Sequence, residues 1–165
     1  MSSVLDMNAK LSCMTISSPV GSLVLRASNK GLVSLDRGKA TRIKGEEKAE
    51  RNVARAAREL DEYFAGKRLK FTVPLDLQGT PFQLQVWSTL RKIPFGKAVS
   101  YGEEARMLGK PKAARAVGSA NGRNPIPIIV PCHRVVAGDG SLGGYSAGLT
   151  MKRKLLALEG VSVAE

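Results

Sequence analysis

A cysteine and a histidine stand next to each other at positions 132 and 133, within the segment IVPCHRVV. The thiolate is the nucleophilic form of cysteine, and a nearby imidazole can take up the thiol proton. Neighbouring residues of an extended strand point to opposite faces, so contact between these two side chains needs a tight turn or a bridging water. The pair predicts a nucleophilic Cys132. A buried structural cysteine beside a surface histidine is the open alternative.

A carboxylate that could assist this pair is Glu159, in the last turn of a predicted C-terminal helix with the sequence KRKLLALEG. It faces the negative end of the helix dipole, which costs about 0.3–1 kcal/mol. A residue kept at such a position fits a task such as orienting a histidine, so a Cys132–His133–Glu159 relay is our hypothesis. The basic residues 152–154 in the first turn are also unfavourably placed, and they suit contacts with phosphate.

The cysteine and histidine content limits the other kinds of site. Two cysteines and one histidine cannot fill a four-ligand zinc site of these residue types, so we expect no metal and no cofactor. Cys13 lies in an apolar, strand-like segment and is expected to pack as a small hydrophobic residue. A disulfide between Cys13 and Cys132 is not expected, because disulfides rarely persist in a reducing cytosol.

The overall charge points to a polyanionic partner. The chain has 26 basic and 14 acidic residues, a net charge of +12, and nucleic acid is the commonest partner of so basic a small protein. A surface that only maintains solubility is the alternative. The longest apolar run, residues 126–131, is far shorter than the ~20 residues of a membrane helix. The first ten residues lack the pattern of a secretory signal, so we expect a cytosolic protein.

The N-terminal half predicts a small sheet followed by one helix. Residues 11–17, 21–28 and 31–36 are rich in β-branched and apolar residues and are separated by turn signals, which indicates three strands. A charged segment, residues 37–48, is expected to be a solvated loop. Residues 67–79 are expected to be extended and to connect two lobes. The apolar positions that predict an amphipathic helix ending at Gly66 are Ala49, Val53, Ala56, Leu60 and Phe64.

The C-terminal half opens with helix-start signals. Thr80-Pro81 with Gln83, and later Ser100 with Glu103, have the spacing of capping boxes. The helix begun at Ser100 should stop near Gly109, and the next should run from Pro111 to about Gly122. These two helices favour a helix-turn-helix or a plain helical hairpin about equally. The expected buried face of the first helix is Phe82, Val86, Leu90 and Ile93.

The helix after Pro111 has the sequence KAARAVGSANG and consists almost entirely of small residues. Small side chains let a helix backbone come close to another surface. A minor groove about 6 Å wide would accept such a helix with one long arginine. Tight packing against a neighbouring helix would use the same pattern, so both interpretations stay open from composition.

In these segments the sequence resembles the O6-alkylguanine-DNA alkyltransferases. IVPCHRVV is preceded by AARAVGSANGRNP and followed by GGYSAG and LLALEG, while SSPVGSLVL and LDEYFAGK are weaker matches in the N-terminal half. The resemblance implies DNA repair by direct reversal, in which an alkyl group leaves O6 of guanine and stays on a cysteine of the protein. Some members carry zinc or a further metal-binding domain. This chain has neither the ligands nor the length, and it resembles the stand-alone bacterial type.

The resemblance also implies a role for each catalytic residue. Cys132 matches the acceptor cysteine, which attacks the alkyl carbon and becomes a thioether in a single turnover. His133 matches the residue that activates it through a bridging water, and Glu159 matches the carboxylate that holds the imidazole. Tyr101 matches the tyrosine that donates a hydrogen bond to the flipped base. The small-residue helix at residues 112–122 matches the family's recognition helix, and Asn124 matches the asparagine that ties that helix to the active-site loop.

DNA contacts are implied in the same way. The target atom lies inside the duplex, so the nucleotide must be flipped out of the stack, and Arg115 matches the finger residue that fills the vacated space. The base pocket is expected to include Tyr101, the backbone carbonyl of Val135, and Tyr145, Ser146 and Ala147. The expected DNA-contacting residues are Arg115, Lys112, Ala114, Ala116, Gly118, Ser119, Arg123 and Arg134.

The expected fold class is α/β (α+β), with two lobes. Residues 1–79 should form an N-terminal ribonuclease-H-like lobe with a small antiparallel sheet, together with a linker. Residues 80–165 should form a mostly helical, winged-helix-like DNA-binding lobe that holds the acceptor cysteine. The expected partner is double-stranded DNA containing O6-alkylguanine, or O4-alkylthymine. The protein is expected to act as a monomer in the cytoplasm, associated with the nucleoid.

Two other classes of function compete with alkyl transfer. A basic helix-turn-helix module that recognises alkylated DNA without catalysis would bind DNA equally well after Cys132→Ala. A cysteine hydrolase that uses Cys132, His133 and Glu159 would turn over repeatedly on a small electrophile without DNA.

Overall fold

The structure of the chain, a computed structural model, describes residues 11–163. The chain divides into two compact units, Met1–Gln78 and Gly79–Glu165. Within the described residues, no helix has the length and apolar character needed to cross a bilayer. The secondary structure of the first unit is β1 (Ser12–Ile16), β2 (Leu23–Ala27), β3 (Leu32–Arg37) and helix α1 (Glu47–Phe64).

The three predicted strands form one antiparallel sheet in the order β1-β2-β3. Cys13 pairs with Arg26 and Leu25 pairs with Leu35, with an irregularity between Arg26 and Ala27. Cys13 is a buried free cysteine, which confirms that it packs as a small hydrophobic residue. The sheet confirms the fold class expected for this unit.

Helix α1 packs its apolar stripe against the sheet, and the predicted helix is confirmed with one change at its end. Tyr63 is fully buried there, whereas Phe64 is only partly buried. The helical period explains the change, because the buried stripe continues from Leu60 through its i+3 neighbour rather than its i+4 neighbour. The other predicted apolar positions of the stripe that are buried are Ala49, Val53 and Ala56.

The two segments predicted to be connections without helix, residues 37–48 and 67–79, contain almost no helix. Residues 37–48 are mostly exposed, but Ile43 pairs with Cys13 through two backbone hydrogen bonds of 2.9 and 3.1 Å, and the last two residues already belong to α1. Residues 67–79 form neither helix nor strand and bend at several positions, and Leu75 pairs with Leu32 in an isolated bridge. They are fixed to α1 by the buried Glu59, which accepts hydrogen bonds from the backbone N–H of Thr72 at 2.9 Å and of Val73 at 3.0 Å.

The second unit is mostly helical, as predicted. Its only described sheet is a parallel pair of two-residue strands, β4 and β5. Cys132–Arg134 forms a 3₁₀ turn directly before β5. The remaining elements of the unit are α2 (Pro81–Leu90), β4 (Val99–Ser100), α3 (Tyr101–Met107), α4 (Ala114–Gly122), β5 (Val135–Val136) and α5 (Leu149–Leu158).

Both predicted capping boxes are present. The Thr80 hydroxyl accepts from the Gln83 N–H at 3.1 Å, and the Gln83 side chain accepts from the Thr80 N–H at 2.9 Å. The Ser100 hydroxyl accepts from the Glu103 N–H at 3.1 Å. This second box fixes the start of α3 at Tyr101, the first residue of that helix.

Helix α2 buries a slightly different face from the predicted one. Val86, Leu90 and Ile93 are buried as expected, but Phe82 is only partly buried. The buried aromatic residue is Trp87, whose Nε1–H donates to the carbonyl of Ala120 at 2.9 Å. That hydrogen bond ties α2 to α4.

Helix α4 begins at Ala114, later than the predicted start at Pro111. Residues 110–113 form a turn in which the Ala113 N–H donates to the Lys110 carbonyl at 2.9 Å. Lys112 therefore precedes the helix. Pro111 acts as a turn residue here, a use that its fixed φ angle allows as readily as a helix start.

Candidate active site

The loop that precedes Cys132 is held by one side chain, Asn124. Its amide Nδ2 donates to the Val130 carbonyl at 2.7 Å and to the Cys132 Sγ at 3.2 Å. Its Oδ1 accepts from the Ile126 N–H at 2.9 Å. Within this loop Ile128 is buried and has a φ of 76°, a left-handed conformation that a β-branched residue rarely adopts. Asn124 thus fixes both the loop and the thiol.

Cys132 is buried, and burial raises the pKa of its thiol to about 11. The hydrogen bond from Asn124, the positive charge of Lys152 and a hydrogen bond with Tyr145 act in the opposite direction and lower this pKa. The thiol is therefore protonated near neutral pH. Because the thiolate is the nucleophile, the cysteine is unreactive until a proton acceptor is used.

His133 and Glu159 are brought together, as the relay hypothesis requires. The His133 Nε2 lies 2.7 Å from the Glu159 Oε2, and both side chains are fully buried. Burial lowers the pKa of His133, while Glu159 raises it. A neutral imidazole donates its Nε2–H to a carboxylate, which leaves Nδ1 as the acceptor. This Nδ1 is buried and has no hydrogen-bond partner among the described residues.

Glu159 is held on its other side by Arg134. The guanidinium Nε and Nη2 donate to the two carboxylate oxygens at 2.8 and 3.1 Å, and Nη1 donates to the Ile93 carbonyl at 2.6 Å. Arg134 was predicted to contact DNA, but this buried side chain is committed to Glu159, so the structure contradicts that prediction. These hydrogen bonds hold the Glu159 carboxylate in place.

Lys152 is a site residue that sequence reasoning assigned wrongly, as part of a phosphate-binding cluster. It is fully buried, and its Nζ donates to the carbonyls of Val135 at 2.7 Å and Gly144 at 2.9 Å. Burial lowers its pKa to about 8, whereas the Cys132 thiolate would raise it. Lys152 therefore joins the segment after the cysteine to the loop around Gly144, and it brings positive charge close to the thiol.

A cavity of about 250 Å³ opens onto Cys132. Tyr101 is half-buried in its wall, and its hydroxyl forms a hydrogen bond with the backbone of Gly144. A Cβ added at Gly118 would lie 3.6 Å from the Tyr101 ring, in ordinary van der Waals contact, so Gly118 packs directly beside this ring. The residues that line the cavity are Tyr101, Gly118, Asn121, Gly122, Cys132, Gly144, Tyr145 and Ser146.

Of the four predicted pocket residues other than Tyr101, two line the cavity and two do not. Tyr145 and Ser146 line the cavity, whereas Val135 and Ala147 do not. Val135 is fully buried, and its carbonyl is the one that accepts from Lys152. Sequence reasoning missed Asn121, which lines the cavity on α4.

The outer face of α4 is exposed and small, apart from Arg115. Arg115, Ala116, Ser119 and Arg123 are exposed, as is Lys112 before the helix. Ala114 and Gly118 are partly exposed, and the opposite face of the helix, with Val117, Ala120 and Asn121, is buried. Helix α4 therefore presents an arginine on a surface of small residues, while its glycines 118 and 122 line the cavity that reaches the thiol.

The comparisons with known proteins cover both halves of the chain. The family model described as "6-O-methylguanine DNA methyltransferase, ribonuclease-like domain" matches residues 11–77. The one described as "6-O-methylguanine DNA methyltransferase, DNA binding domain" matches residues 81–161. The methylated-DNA–protein-cysteine methyltransferase of Mycolicibacterium paratuberculosis is 47% identical over 148 residues, which are 88% of this chain and 90% of that protein.

Solved structures agree. The crystal structure of the O6-methylguanine methyltransferase of Mycobacterium tuberculosis has a TM-score of 0.79 and 44% identity, and covers 94% of this chain and 96% of its own. A structure of the OGT protein of that organism in complex with DNA has a TM-score of 0.78 and 47% identity, and covers 88% of this chain and 90% of its own. Since domain models, a close relative and whole-chain structures all coincide, this chain belongs to the 6-O-methylguanine DNA methyltransferase family.

Proposed function

We propose that this protein repairs O6-alkylguanine in double-stranded DNA by moving the alkyl group irreversibly onto Cys132. The observation that carries the assignment to this cysteine is its place in the molecule. Its thiol opens onto the 250 Å³ cavity, beside a buried histidine that is bonded to a buried carboxylate at 2.7 Å. The non-catalytic binding module is not favoured, because it has no use for this buried arrangement.

The first step is removal of the thiol proton. His133 Nδ1 is the free acceptor of the imidazole, and a water between it and Sγ would carry the proton to the ring. The imidazolium formed in this way is stabilised by the Glu159 carboxylate on Nε2. Arg134 keeps that carboxylate in place through its two hydrogen bonds. Lys152 and Asn124 stabilise the thiolate by charge and by hydrogen bonding.

The second step is an in-line displacement at the alkyl carbon. The Cys132 Sγ forms a bond to this carbon as the bond between carbon and O6 breaks, and the electron pair passes to the guanine. The Tyr101 hydroxyl, in the cavity wall, donates a hydrogen bond to the base and so helps to neutralise it as it leaves. The proton taken from the thiol balances the one that the restored guanine regains. A thioether has no good leaving group, so the protein acts once.

The exposed surface of α4 is proposed as the DNA-contacting element. Arg115 would fill the space that the flipped nucleotide leaves in the stack. Ala114, Ala116, Gly118 and Ser119 would let the helix backbone approach the groove, and Lys112 and Arg123 would contact phosphates. We do not include Arg134.

Three wider features belong to the same proposal. Residues 80–165 would carry both DNA binding and alkyl transfer, with residues 1–79 as a separate domain. The protein would work as a monomer. The net charge of +12 would keep it associated with the nucleoid in the cytoplasm.

Stoichiometry tests this function. Increasing amounts of a duplex with one O6-methylguanine are added to a fixed amount of protein, and repaired guanine is counted by chromatography. We expect repair to stop at one equivalent, and Cys132→Ser to repair nothing while still binding the duplex. Continued turnover would instead support the hydrolase, and binding without repair would support the non-catalytic module.

A further inference from the structure

A buried carboxyl group lies close to the cavity and has no part in the mechanism above. Glu104 on α3 is fully buried, and Asn121 on α4 is 7% exposed. The Asn121 Nδ2 donates to the Glu104 Oε1 at 2.7 Å. The other oxygen of each side chain, Oε2 of Glu104 and Oδ1 of Asn121, is buried without a hydrogen-bond partner among the described residues.

This environment favours the neutral acid. A buried carboxylate is costly unless it is paired with a cation or accepts several hydrogen bonds, and no Lys or Arg side chain among the described residues forms an ion pair with Glu104. Burial raises the pKa of Glu104 to about 7, and the hydrogen bond from Asn121 opposes this rise. Protonation of Glu104 also gives its carboxyl group an O–H donor. Asn121 Oδ1 is a buried acceptor with no donor among the described residues.

The pair is coupled to the reacting groups. Asn121 lines the same cavity as Cys132 and Tyr101. On its own helix, Glu104 faces Tyr101, whose hydroxyl pKa is raised mainly by burial and further by the negative charge of Glu104. From α4 it faces the neutral Asn121. No charged side chain among the described residues of α2 or β5 pairs with it. In the part of the chain that the structure describes, no ion pair therefore neutralises a charge on Glu104 next to the cavity.

Alkyl transfer builds negative charge in this cavity, first on the Cys132 sulfur and then on the departing guanine. We propose that Glu104 is a positioning residue that must be protonated for fast alkyl transfer, because its ionised form opposes that negative charge and weakens the hydrogen bond that Tyr101 donates. The inference rests on the proposed function and adds to it an acidic group that limits the reaction at high pH. The thiol alone would make the rate rise with pH throughout.

The test compares Glu104→Gln with the matched control Glu103→Gln on the same helix. Glutamine keeps the shape and the oxygen that accepts from Asn121, but it cannot ionise. Glu103 is exposed, and glutamine can replace it in the capping box. Single-turnover transfer from O6-benzylguanine, added in excess as the free base, is measured from about pH 5.5 to about pH 9. The free base removes DNA binding from the comparison.

We expect Glu104→Gln to react at the wild-type rate near pH 5.5 and about tenfold faster at pH 9, where Coulomb repulsion from an ionised Glu104 is absent. Glu103→Gln should follow the wild type throughout. Equal pH profiles for Glu104→Gln and wild type, or a loss of rate that is the same at every pH, would overturn the inference. A wild-type protein that gains no methyl group from a duplex containing O6-methylguanine would overturn the proposed function, and the inference with it.

A measurement of melting temperature distinguishes an effect on the reaction from poor folding of the variant. The pKa of Glu104 is higher in the folded protein than in the unfolded chain. Its protonated form therefore stabilises the fold fully below the unfolded pKa of about 4.3, and this contribution is lost as the pH rises through the folded pKa. The melting temperature of Glu104→Gln minus that of the wild type should therefore grow between about pH 4.5 and about pH 7 and stay constant above. A second neutral variant, Glu104→Leu, should show the same trend. A difference that does not depend on pH would mean that Glu104 does not ionise there, and the inference would fail.

Discussion

Cys132 must be inert in the free protein and reactive once a base is in the cavity, and its neighbours account for both properties. Burial raises the pKa of the thiol to about 11, so the free protein holds little thiolate. Reactivity then depends on groups that stabilise the thiolate at the moment of attack. Asn124 does so with a hydrogen bond of 3.2 Å, and Lys152 with positive charge.

Replacing Lys152 tests this balance. Lys152→Met keeps the length of the side chain but removes the charge and the two hydrogen bonds to Val135 and Gly144. We expect transfer from free O6-benzylguanine to slow by at least about tenfold near pH 7, because one pKa unit on the thiol is a tenfold change in thiolate. The loss should shrink at high pH, where hydroxide ionises the thiol. Rates are followed by the mass of the intact protein.

The control for this experiment is Lys154→Met on the same helix. Lys154 is exposed, so its charge is screened by water and transfer from the free base should be unchanged. Equal losses in the two variants, or a loss in Lys152→Met that is the same at every pH, would contradict a role for Lys152 in ionising the thiol.

Residue types and spacing predicted some of these side chains and not others. Cys132, His133 and Glu159 were chosen because a cysteine, a lone histidine and an oddly placed carboxylate are unusual, and the structure brings the last two into contact. Two predictions at this scale are wrong: phosphate contacts for Lys152, which follow from the basic cluster 152–154, and DNA contacts for Arg134, which follow from the family resemblance. Their actual partners are backbone carbonyls and a carboxylate from distant parts of the chain, which no local pattern reveals.

Within the helices, the spacing of residues indicates which charged side chains are buried. Lys152, Leu155, Leu156 and Glu159 have spacings of three and four and form the buried stripe of α5. A lysine within such a stripe predicts a buried lysine. In the same way, Glu104 follows Tyr101 by three positions on α3. The phosphate-contact prediction for Lys152 follows charge instead of period, and period is the better guide.

Local rules predicted the helix starts well where a side chain makes the cap. The boxes at Thr80 and Ser100 are local, and both are present. The start of α4 was wrong because Pro111 fits a turn and a first helical turn equally well. The choice between them depends on the Lys110–Ala113 hydrogen bond, which the sequence does not determine.

A change on the exposed surface of helix α4 should affect the reaction with duplex DNA and not the reaction with the free base. Arg115→Ala removes the one long side chain from the exposed surface of small residues on α4. Arg115 is not among the residues that line the cavity. We expect transfer from a duplex containing O6-methylguanine to slow by at least about tenfold, because unstacking a base costs a few kcal/mol that Arg115 helps to offset. Transfer from free O6-benzylguanine should stay at the wild-type rate.

A matched variant, Arg91→Ala, removes another exposed arginine, at the end of α2. It should keep the duplex reaction, apart from a small effect of net charge. If Arg115→Ala also slows the reaction of the free base, or if Arg91→Ala slows the duplex reaction as much, Arg115 has no specific role in base flipping.

For the molecule as a whole, family membership and the site support each other. The two family models match residues 11–77 and 81–161, which lie within the two compact units. All the residues proposed for catalysis belong to the second unit. The sequence predicted the fold of each unit because strands, helices and caps are local patterns. Activity could not be derived from charge or composition alone, and it was inferred first from a resemblance.

The central claim is that Cys132 keeps the alkyl group, and one mass measurement tests it most directly. The protein is mixed with an equal amount of a duplex containing one O6-methylguanine, digested with trypsin, and the peptide 124–134 is weighed and fragmented. We expect one methyl to replace one hydrogen on Cys132, unmodified DNA to give no change, and Cys132→Ser never to gain the group. An unchanged peptide from protein that still binds the duplex would show that Cys132 is not the alkyl acceptor.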